Sequence, residues 1–310
     1  MSTLLRPLTT GELLDRTFHL YRNNFVLFAG IASVAAATVV MALMLLAYLG
    51  NAIATQTREI DPSRLFLDLL IYFGVLALFY ILGSSLATGG TIYAVSKVHL
   101  GQSVSISESY GKVLPNLGRI LVVILAIVGR IIVMLVVGYV CLFVFGLMVG
   151  LIFAGYRSRG VFMFTYTVGL VGGLTIYVLA IRLYFKLSVA IQACMLENTG
   201  TRDSLRRSIF LTRDYLWRIF LIYLLTGVIG FALSFVLHWP AALLTNSYVT
   251  VMIWQSLATF IATTLSFPIS TIATSLLYYD LRVRKEALDL QLMMESLGQT
   301  QNQAAAAPIG

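Results

Sequence analysis

The last hydrophobic segment of the chain runs directly into a dense group of charged residues. The segment reads SLLYYDLRVRKEALDL (275–290) and carries Asp280, Arg282, Arg284 and Glu286 with no Pro or Gly between them. Such a cluster could do chemistry, but cations after an apolar run are also typical of the cytoplasmic end of a membrane helix. We expect a membrane-stop cluster. Salt bridges that tie helices together, for example to Arg206 or Asp214, and a docking surface for a protein partner are both open as its role.

Cations inside apolar segments form a second group of candidate residues. Arg130 lies eleven residues beyond Arg119, about 16 Å along a helix, and a cation at mid-bilayer costs a few kcal/mol. It must therefore either extend to the interface or face a polar partner inside the bundle. Arg182 and Lys186 are four residues apart and share one helix face, where they could bind a lipid phosphate. Long stems that reach the interface explain them equally well.

Small polar residues recur in three apolar segments, which read GSSLATGGT (83–91), KLSVAIQ (186–192) and TTLSFPISTIATS (263–275). Small residues allow close helix packing, and this alone explains them. The alternative is a shared polar groove open to the cytoplasm, with a helix kink at the proline because that residue lacks a backbone donor. The candidate groove residues are Ser85, Thr88, Ser188, Gln192, Ser266, Pro268 and Ser270.

No motif of an enzyme or a metal site occurs in the sequence. The three histidines, His19, His99 and His238, are scattered, and there is no HExxH, P-loop or GxSxG sequence. Cys141 and Cys194 lie in or beside apolar runs, where a thiol behaves as a small hydrophobe. We therefore expect no catalytic residues, no metal, no disulfide and no cofactor.

The elements that position these residues must lie in a membrane. Of 310 residues, 59% are hydrophobic and 11% are charged, against roughly 25% charged in an ordinary soluble domain. The net charge is +8, but the basic residues stand in short stretches between apolar runs. This pattern favours membrane lipids with anionic headgroups as partners and excludes a nucleic-acid surface.

Hydropathy predicts an all-α membrane bundle of six transmembrane helices, because long apolar runs without strict alternation form helices and not barrels. The predicted spans are 25–49, 65–95, 119–154, 161–193, 216–237 and 249–279. The third span is too long for one perpendicular crossing. It must tilt, protrude, or break near Gly138, Gly146 or Gly150.

The distribution of cations predicts the orientation of the chain. Of its 21 Lys and Arg residues, 16 lie in the amino-terminal segment, the 96–119 and 182–218 regions and the segment after 279. By the positive-inside rule, both termini should be cytoplasmic. The amino terminus is too polar for a signal peptide, so the first span should be retained.

A short amphipathic segment precedes each odd-numbered span, and in all three its apolar residues step by four, three and four along one helical stripe. The three stripes are Leu14, Phe18, Tyr21 and Phe25; Ile106, Tyr110, Val113 and Leu117; and Leu205, Ile209, Thr212 and Leu216. These segments predict three amphipathic interfacial helices. Thr17, Ser109 and Ser208 precede the second stripe residue in each case.

The three segments suggest a pseudo-threefold repeat with approximate units 9–100, 101–199 and 200–290. Chance is the alternative, since amphipathic helices share this spacing in any case. Either way, we expect a single transmembrane domain over residues 1–292 and a flexible tail over 293–310.

Two segments resemble a known family. LYYDLRVRKEALDL (277–290) and ENTGTRDSLRRSIFLTRDYLWRIF (197–220) are similar to the closing and central stretches of the bacterial membrane-domain family named after glycerophosphoryl diester phosphodiesterases. The resemblance implies a multi-pass module of the bacterial inner membrane. It does not imply hydrolysis, because no soluble phosphodiesterase barrel follows the last helix here.

We therefore expect a non-enzymatic membrane module for lipid-associated or envelope assembly, with a cytoplasmic or membrane protein as a further partner. A transporter of small molecules or lipids that uses the polar groove is the alternative. An intramembrane hydrolase ranks third, because no paired nucleophile and base is present.

Overall fold

The computed structural model describes residues 7–56, 62–99, 101–153, 159–243 and 248–286. All regular structure in these residues is helical. The predicted tail, 293–310, lies outside the described residues. The helices are α1 (Thr10–Asn23), α2 (Phe25–Gln56), α3 (Pro62–His99), α4 (Ile106–Val113), α5 (Leu117–Ile152), α6 (Arg159–Lys186), α7 (Ala190–Leu196), α8 (Thr201–Thr212), α9 (Leu216–His238) and α10 (Tyr248–Glu286).

Six helical stretches are long and apolar enough to cross a membrane, which confirms the predicted number within the described residues. They cover Phe25–Leu45, Phe66–His99, Ile106–Ile152, Arg159–Leu196, Leu216–Ala241 and Val249–Glu286. Successive spans run in opposite directions, so α1, α4 and α8 lie at one end of the bundle, hereafter the basic end. The opposite end, where α3 and α10 begin, is hereafter the far end.

The long third span does not break. Helix α5 continues from Leu117 to Ile152 through Gly138, Gly146 and Gly150, a length of about 54 Å at 1.5 Å per residue. Of the three predicted solutions, tilt and protrusion are the two that fit an unbroken helix. Helix α10 likewise continues through Pro268 to Glu286.

The fourth span does break, at a place with neither Pro nor Gly. Helix α6 ends at Lys186 and α7 begins at Ala190, whose amide donates to the Leu187 carbonyl at 3.2 Å. The carbonyl of Lys186 instead accepts the hydroxyls of Ser208 at 2.8 Å and Thr212 at 3.0 Å. Two side chains of α8 therefore satisfy the backbone acceptor that the break releases.

Side-chain caps begin two of the short helices. Thr9 and Glu12 form a reciprocal capping box at the start of α1, and Ser105 accepts the amide of Glu108 at the start of α4. Each short helix buries the small hydroxyl residue singled out in the sequence: Thr17, Ser109 and Ser208. The predicted apolar stripes are not buried throughout, because Phe18 and Ile209 are exposed.

The core lies between α10, α2, α9 and the short helices of the basic end. Phe28, Ile31, Leu211 and Tyr278 are among its fully buried side chains. Helices α5 and α6 form a more peripheral hairpin, in which Gly138 lies against Ile176 and Gly172 against Leu142. Their other faces carry exposed apolar side chains, as expected of helices that face lipid.

Candidate functional site: a polar cavity and the charged basic end

A cavity of about 340 Å³ lies within the bundle, between α3, α5, α6, α7, α9 and α10. Four of the seven predicted groove residues line it: Thr88, Ser188, Gln192 and Ser270. They come from all three segments rich in small polar residues. The cavity volume falls at the lower end of the roughly 300–1,000 Å³ typical of small-molecule pockets.

The other three predicted groove residues, Ser85, Ser266 and Pro268, are not among the lining residues. The hydroxyl of Ser85 donates to Ile81 in its own helix at 2.5 Å, and that of Ser266 to Ala262 at 2.6 Å. Ser266 faces Gly230 of α9, where a side chain on the glycine would be in van der Waals contact. Close helix packing, the simpler of the two interpretations, accounts for Ser266.

The cavity holds polar atoms without a partner. Gln192 is 2% exposed, and its Nε2 donates to the Thr274 hydroxyl at 3.1 Å. Its Oε1 has no hydrogen-bond partner among the described residues, and neither has the buried hydroxyl oxygen of Ser188. A buried polar atom left unpaired costs about 1–3 kcal/mol. A molecule inside the cavity that hydrogen-bonds to these two atoms would remove that cost.

The mouth of the cavity faces away from the basic end. Its exposed lining residues are Tyr80 (55%), Val128 (38%) and Tyr184 (42%), and each is the lining residue of its segment that lies nearest the far end. On the other side, Gln192 and Thr274 are buried, and the buried Leu187 and Ala190 belong to one apolar cluster with Leu205 of α8. The groove alternative placed the opening on the cation-rich side, whereas in the structure α7 and α8 cover the cavity on that side.

The three predicted anion-binding cations lie outside this cavity. Arg130 lines a separate groove of about 680 Å³ between α5 and α6, together with Val133, Ile176 and Leu179. The hairpin register, with Gly138 beside Ile176 and Gly172 beside Leu142, puts Arg130 at about the level of Tyr184, between Arg182 and Lys186.

None of these three side chains forms an ion pair or hydrogen bond with a described residue. Lys186 ends α6, and its carbonyl is bound by α8 at the basic end. Arg130 therefore lies on the basic-end side of the midpoint of α5, and its side chain is exposed, which favours a stem that reaches the interface over a buried charge.

Asp280 is the centre of a buried ionic network. Its side chain is 0% exposed, and its carboxylate contacts Arg218 of α9 at 3.0 Å and Arg284 at 2.9 Å. The same carboxylate accepts the backbone amide of Leu8 at 2.7 Å. The Leu8 carbonyl in turn accepts from Arg218 at 2.6 Å and Arg284 at 2.5 Å. The segment before α1 is thereby held against α9 and α10.

A second network joins α7, α8 and α10 around Glu197. The Nε of Arg207 lies 3.0 Å from both carboxylate oxygens of Glu197, and Arg207 also pairs with Glu286. The hydroxyl of Tyr278 donates to Glu197 at 2.5 Å, and Arg282 pairs with Glu286 at 3.1 Å. Asp280, Arg282, Arg284 and Glu286 all take part in contacts within the chain.

The partners of these charges differ from the examples expected from the sequence. Arg207, not Arg206, reaches the end of α10, and Asp214 pairs with Lys285 at 2.6 Å. Hydrogen bonding from Lys285 lowers the pKa of the exposed Asp214 below its usual value. Arg218 and Glu197 were not among the expected site residues. The one signal for Arg218 was its position as a cation at the start of an apolar segment.

No group of three or more His, Cys, Asp or Glu residues that could hold a metal occurs within the described ranges. The unpaired polar atoms of the cavity wall can bind and orient a molecule.

Comparison of the chain with models of protein families, with curated proteins and with solved structures gave no match. The resemblance to the phosphodiesterase-associated membrane family remains a prediction.

Proposed function

We propose that this protein is a non-enzymatic, multi-pass protein of the bacterial inner membrane that binds a small molecule or lipid in the cavity between α3, α6–α7 and α10. The observation that carries the proposal is Gln192: a buried amide oxygen, without a partner among the described residues, in the wall of a cavity of ligand size. A carrier or lipid-moving protein needs such a polar site inside an apolar bundle.

The partner-docking role that we considered for the end of α10 has less support. Docking requires charges that are available to another protein, whereas Asp280, Arg282, Arg284 and Glu286 bind Leu8, Glu197, Arg207 and Arg218 of the same chain. A role in envelope assembly therefore needs a surface other than this cluster.

We also propose that the basic end faces the cytoplasm. The support is the cation count, since 16 of 21 Lys and Arg residues fall in segments at that end. Protease or reporter fusions at each terminus test the orientation. Detection of either terminus on the periplasmic side of the inner membrane would reject this orientation.

The repeat is a further part of the proposal. Each unit would consist of one short helix lying at the interface and two spans, and the second span of every unit contributes to the cavity wall. The buried hydroxyls of Thr17, Ser109 and Ser208 occupy equivalent positions in the three short helices. The exposed Phe18 and Ile209 support an interfacial position, because apolar side chains on such helices enter the headgroup boundary.

Cysteine labelling tests the cavity. In a chain with Cys141→Ala and Cys194→Ala, single Ser188→Cys and Ser270→Cys variants are treated with N-ethylmaleimide in delipidated protein and in native membranes. Both thiols should react after delipidation and be protected in membranes. Ser85→Cys is the matched control, because Ser85 is fully buried outside the cavity and should stay unreactive. Equal reactivity of all three thiols after delipidation, or no reaction of any of them in that state, would reject the proposal.

A further inference from the structure

We infer that the cavity binds the head of an uncharged lipid that carries a free hydroxyl group, such as a diacylglycerol, and this inference rests on the proposed binding function. The choice of ligand class depends on three properties of the cavity: the charge of its wall, the hydrogen-bonding groups that its wall leaves free, and the direction of its mouth.

The wall carries no ionisable group that could neutralise a phosphate. Its polar side chains are those of Ser, Thr, Tyr and Gln, and no Asp, Glu, Lys, Arg or His lines it. An ionised phosphate moved from water into such a wall would lose its hydration without a counter-charge. The cations Arg130, Arg182 and Lys186 are absent from this wall. The cavity therefore selects a neutral head.

Three of the nine wall residues that carry a hydroxyl group donate to carbonyls of their own helices. Ser84 donates to Ile81, Thr271 to Phe267 and Thr274 to Ser270. The Nε2 of Gln192 donates to the Thr274 hydroxyl, so the group that Gln192 leaves free is its acceptor, Oε1. A ligand must bring a donor to this atom, which a quinone or an ester carbonyl cannot do.

Ser188 complements Gln192. Its hydroxyl oxygen is buried beside the hydroxyl of Tyr223 and makes no well-aligned hydrogen bond with that group or with another described residue, so it can donate to the ligand or accept from it. A lipid alcohol can donate to the Gln192 Oε1 and accept from Ser188 with one oxygen atom. This pairing is the reason why we choose an alcohol over a purely accepting head.

The mouth leads toward the apolar surfaces of the spans. Tyr80, Val128 and Tyr184 are exposed at its rim, and beyond it α3 and α5 carry exposed apolar residues such as Phe73 and Val133. A volume of about 340 Å³ suits a head group and the first part of a chain. The acyl chains would then lie along these helix faces in the bilayer.

The experiment uses the full chain in phosphatidylcholine nanodiscs and a diacylglycerol with a diazirine on one acyl chain as the probe. Unlabelled diacylglycerol should compete with photolabelling. Its acetylated form, which lacks the hydroxyl, and phosphatidic acid should each compete at least about tenfold more weakly, since each leaves a buried polar group or a charge unpaired. Gln192→Leu should reduce labelling by about tenfold, and Ser85→Ala, outside the cavity, should not.

Competition on the unaltered chain decides the question even if Gln192→Leu fails to fold. Equal competition by the acetylated lipid, or stronger competition by phosphatidic acid, would overturn the hydroxyl-lipid inference while leaving a binding cavity in place. If no probe labels the cavity but the Ser188→Cys thiol is protected in membranes, the inferred class of lipid is wrong and the proposed binding function stands. If neither labelling nor protection occurs, the proposed function fails as well.

Discussion

Asp280 of α10 and Arg218 of α9 form an ion pair of 3.0 Å in which the carboxylate side chain is fully buried. Arg284, one turn further along α10, shares the same carboxylate. Between them, the three side chains satisfy both the amide and the carbonyl of Leu8. A charge cluster that reads as a simple membrane stop in the sequence is thus a clamp that holds the amino-terminal segment on the last two spans.

We expect Asp280→Asn to destabilise the protein by about 3–5 kcal/mol, the cost of breaking a buried ion pair from one side. The guanidinium of Arg218 would lose its counter-charge, and Leu8 would lose its carboxylate partner. Unfolding in mixed detergent micelles measures the loss. Limited proteolysis of the segment before Thr10 should become faster.

Asp214→Asn is the matched control for this substitution. Asp214 also pairs with a cation, Lys285, but its side chain is 63% exposed, and exposed pairs contribute little. We expect no measurable change in unfolding. A similar loss in both variants would show that burial of Asp280 is not the source of its effect.

The break between α6 and α7 should depend on two hydroxyls that lie elsewhere in the sequence. In the double variant Ser208→Ala, Thr212→Val, the Lys186 carbonyl loses both donors. We expect a loss of about 1–3 kcal/mol, the cost of a buried acceptor without a partner, measured by the same unfolding assay.

Thr226→Val provides the comparison. The Thr226 hydroxyl donates to the Ile222 carbonyl inside α9, four residues earlier, where the helix already supplies an amide donor. Its removal leaves no orphaned carbonyl, so its effect should be well below that of the double variant. Equal losses would mean that the hydroxyls do not maintain the break.

The six apolar helices could be predicted because hydropathy and length are local properties of the chain. The unbroken α5 contradicts one predicted alternative, since a glycine keeps its backbone hydrogen bonds and weakens a helix without ending it. The α6–α7 break had no local signal. Its stability comes from Ser208 and Thr212, which only the folded chain brings to Lys186.

The same distinction holds for the site. A composition rich in small polar residues was enough to select Gln192, Ser188, Thr88 and Ser270, but it could not separate them from Ser85 and Ser266, which lie outside the cavity lining and donate to carbonyls of their own helices. That separation depends on helix rotation. The partners of Asp280 depend on tertiary contacts across the whole chain, which a single sequence does not reveal.

Close packing of α2 and α3 should make Gly83 sensitive to substitution. A Cβ atom there would lie 2.8 Å from the Cβ of Thr38, so Gly83→Ala should cost about 1–3 kcal/mol through overpacking. Gly74, on the same helix, has no atom within 4 Å of that position, and Gly74→Ala should be neutral or slightly stabilising. Unfolding measurements on the Gly83→Ala and Gly74→Ala variants test this prediction. Equal changes in the free energy of unfolding would show that α2 and α3 can move apart at no cost.

Arg130, Arg182 and Lys186 should retain anionic lipid at the basic end of the α5–α6 hairpin. The three side chains lie at nearly one level and make no ion pair with a described residue, so a headgroup phosphate can be their counter-charge. Each cation near an anionic surface contributes about 1 kcal/mol, so replacing all three by Gln should weaken phosphatidylglycerol binding by about a hundredfold. Native mass spectrometry in mild detergent measures the retained lipid.

Arg159 is the control for this experiment, because it lies at the far end of α6, the helix that carries Arg182 and Lys186. Arg159→Gln should leave the phosphatidylglycerol signal unchanged, and the triple variant should still bind the neutral diacylglycerol probe, since none of the three cations lines the cavity. Loss of both lipids from the triple variant would mean that the two sites are one. Loss of neither would leave the cations as interfacial anchors whose stems simply reach the membrane surface.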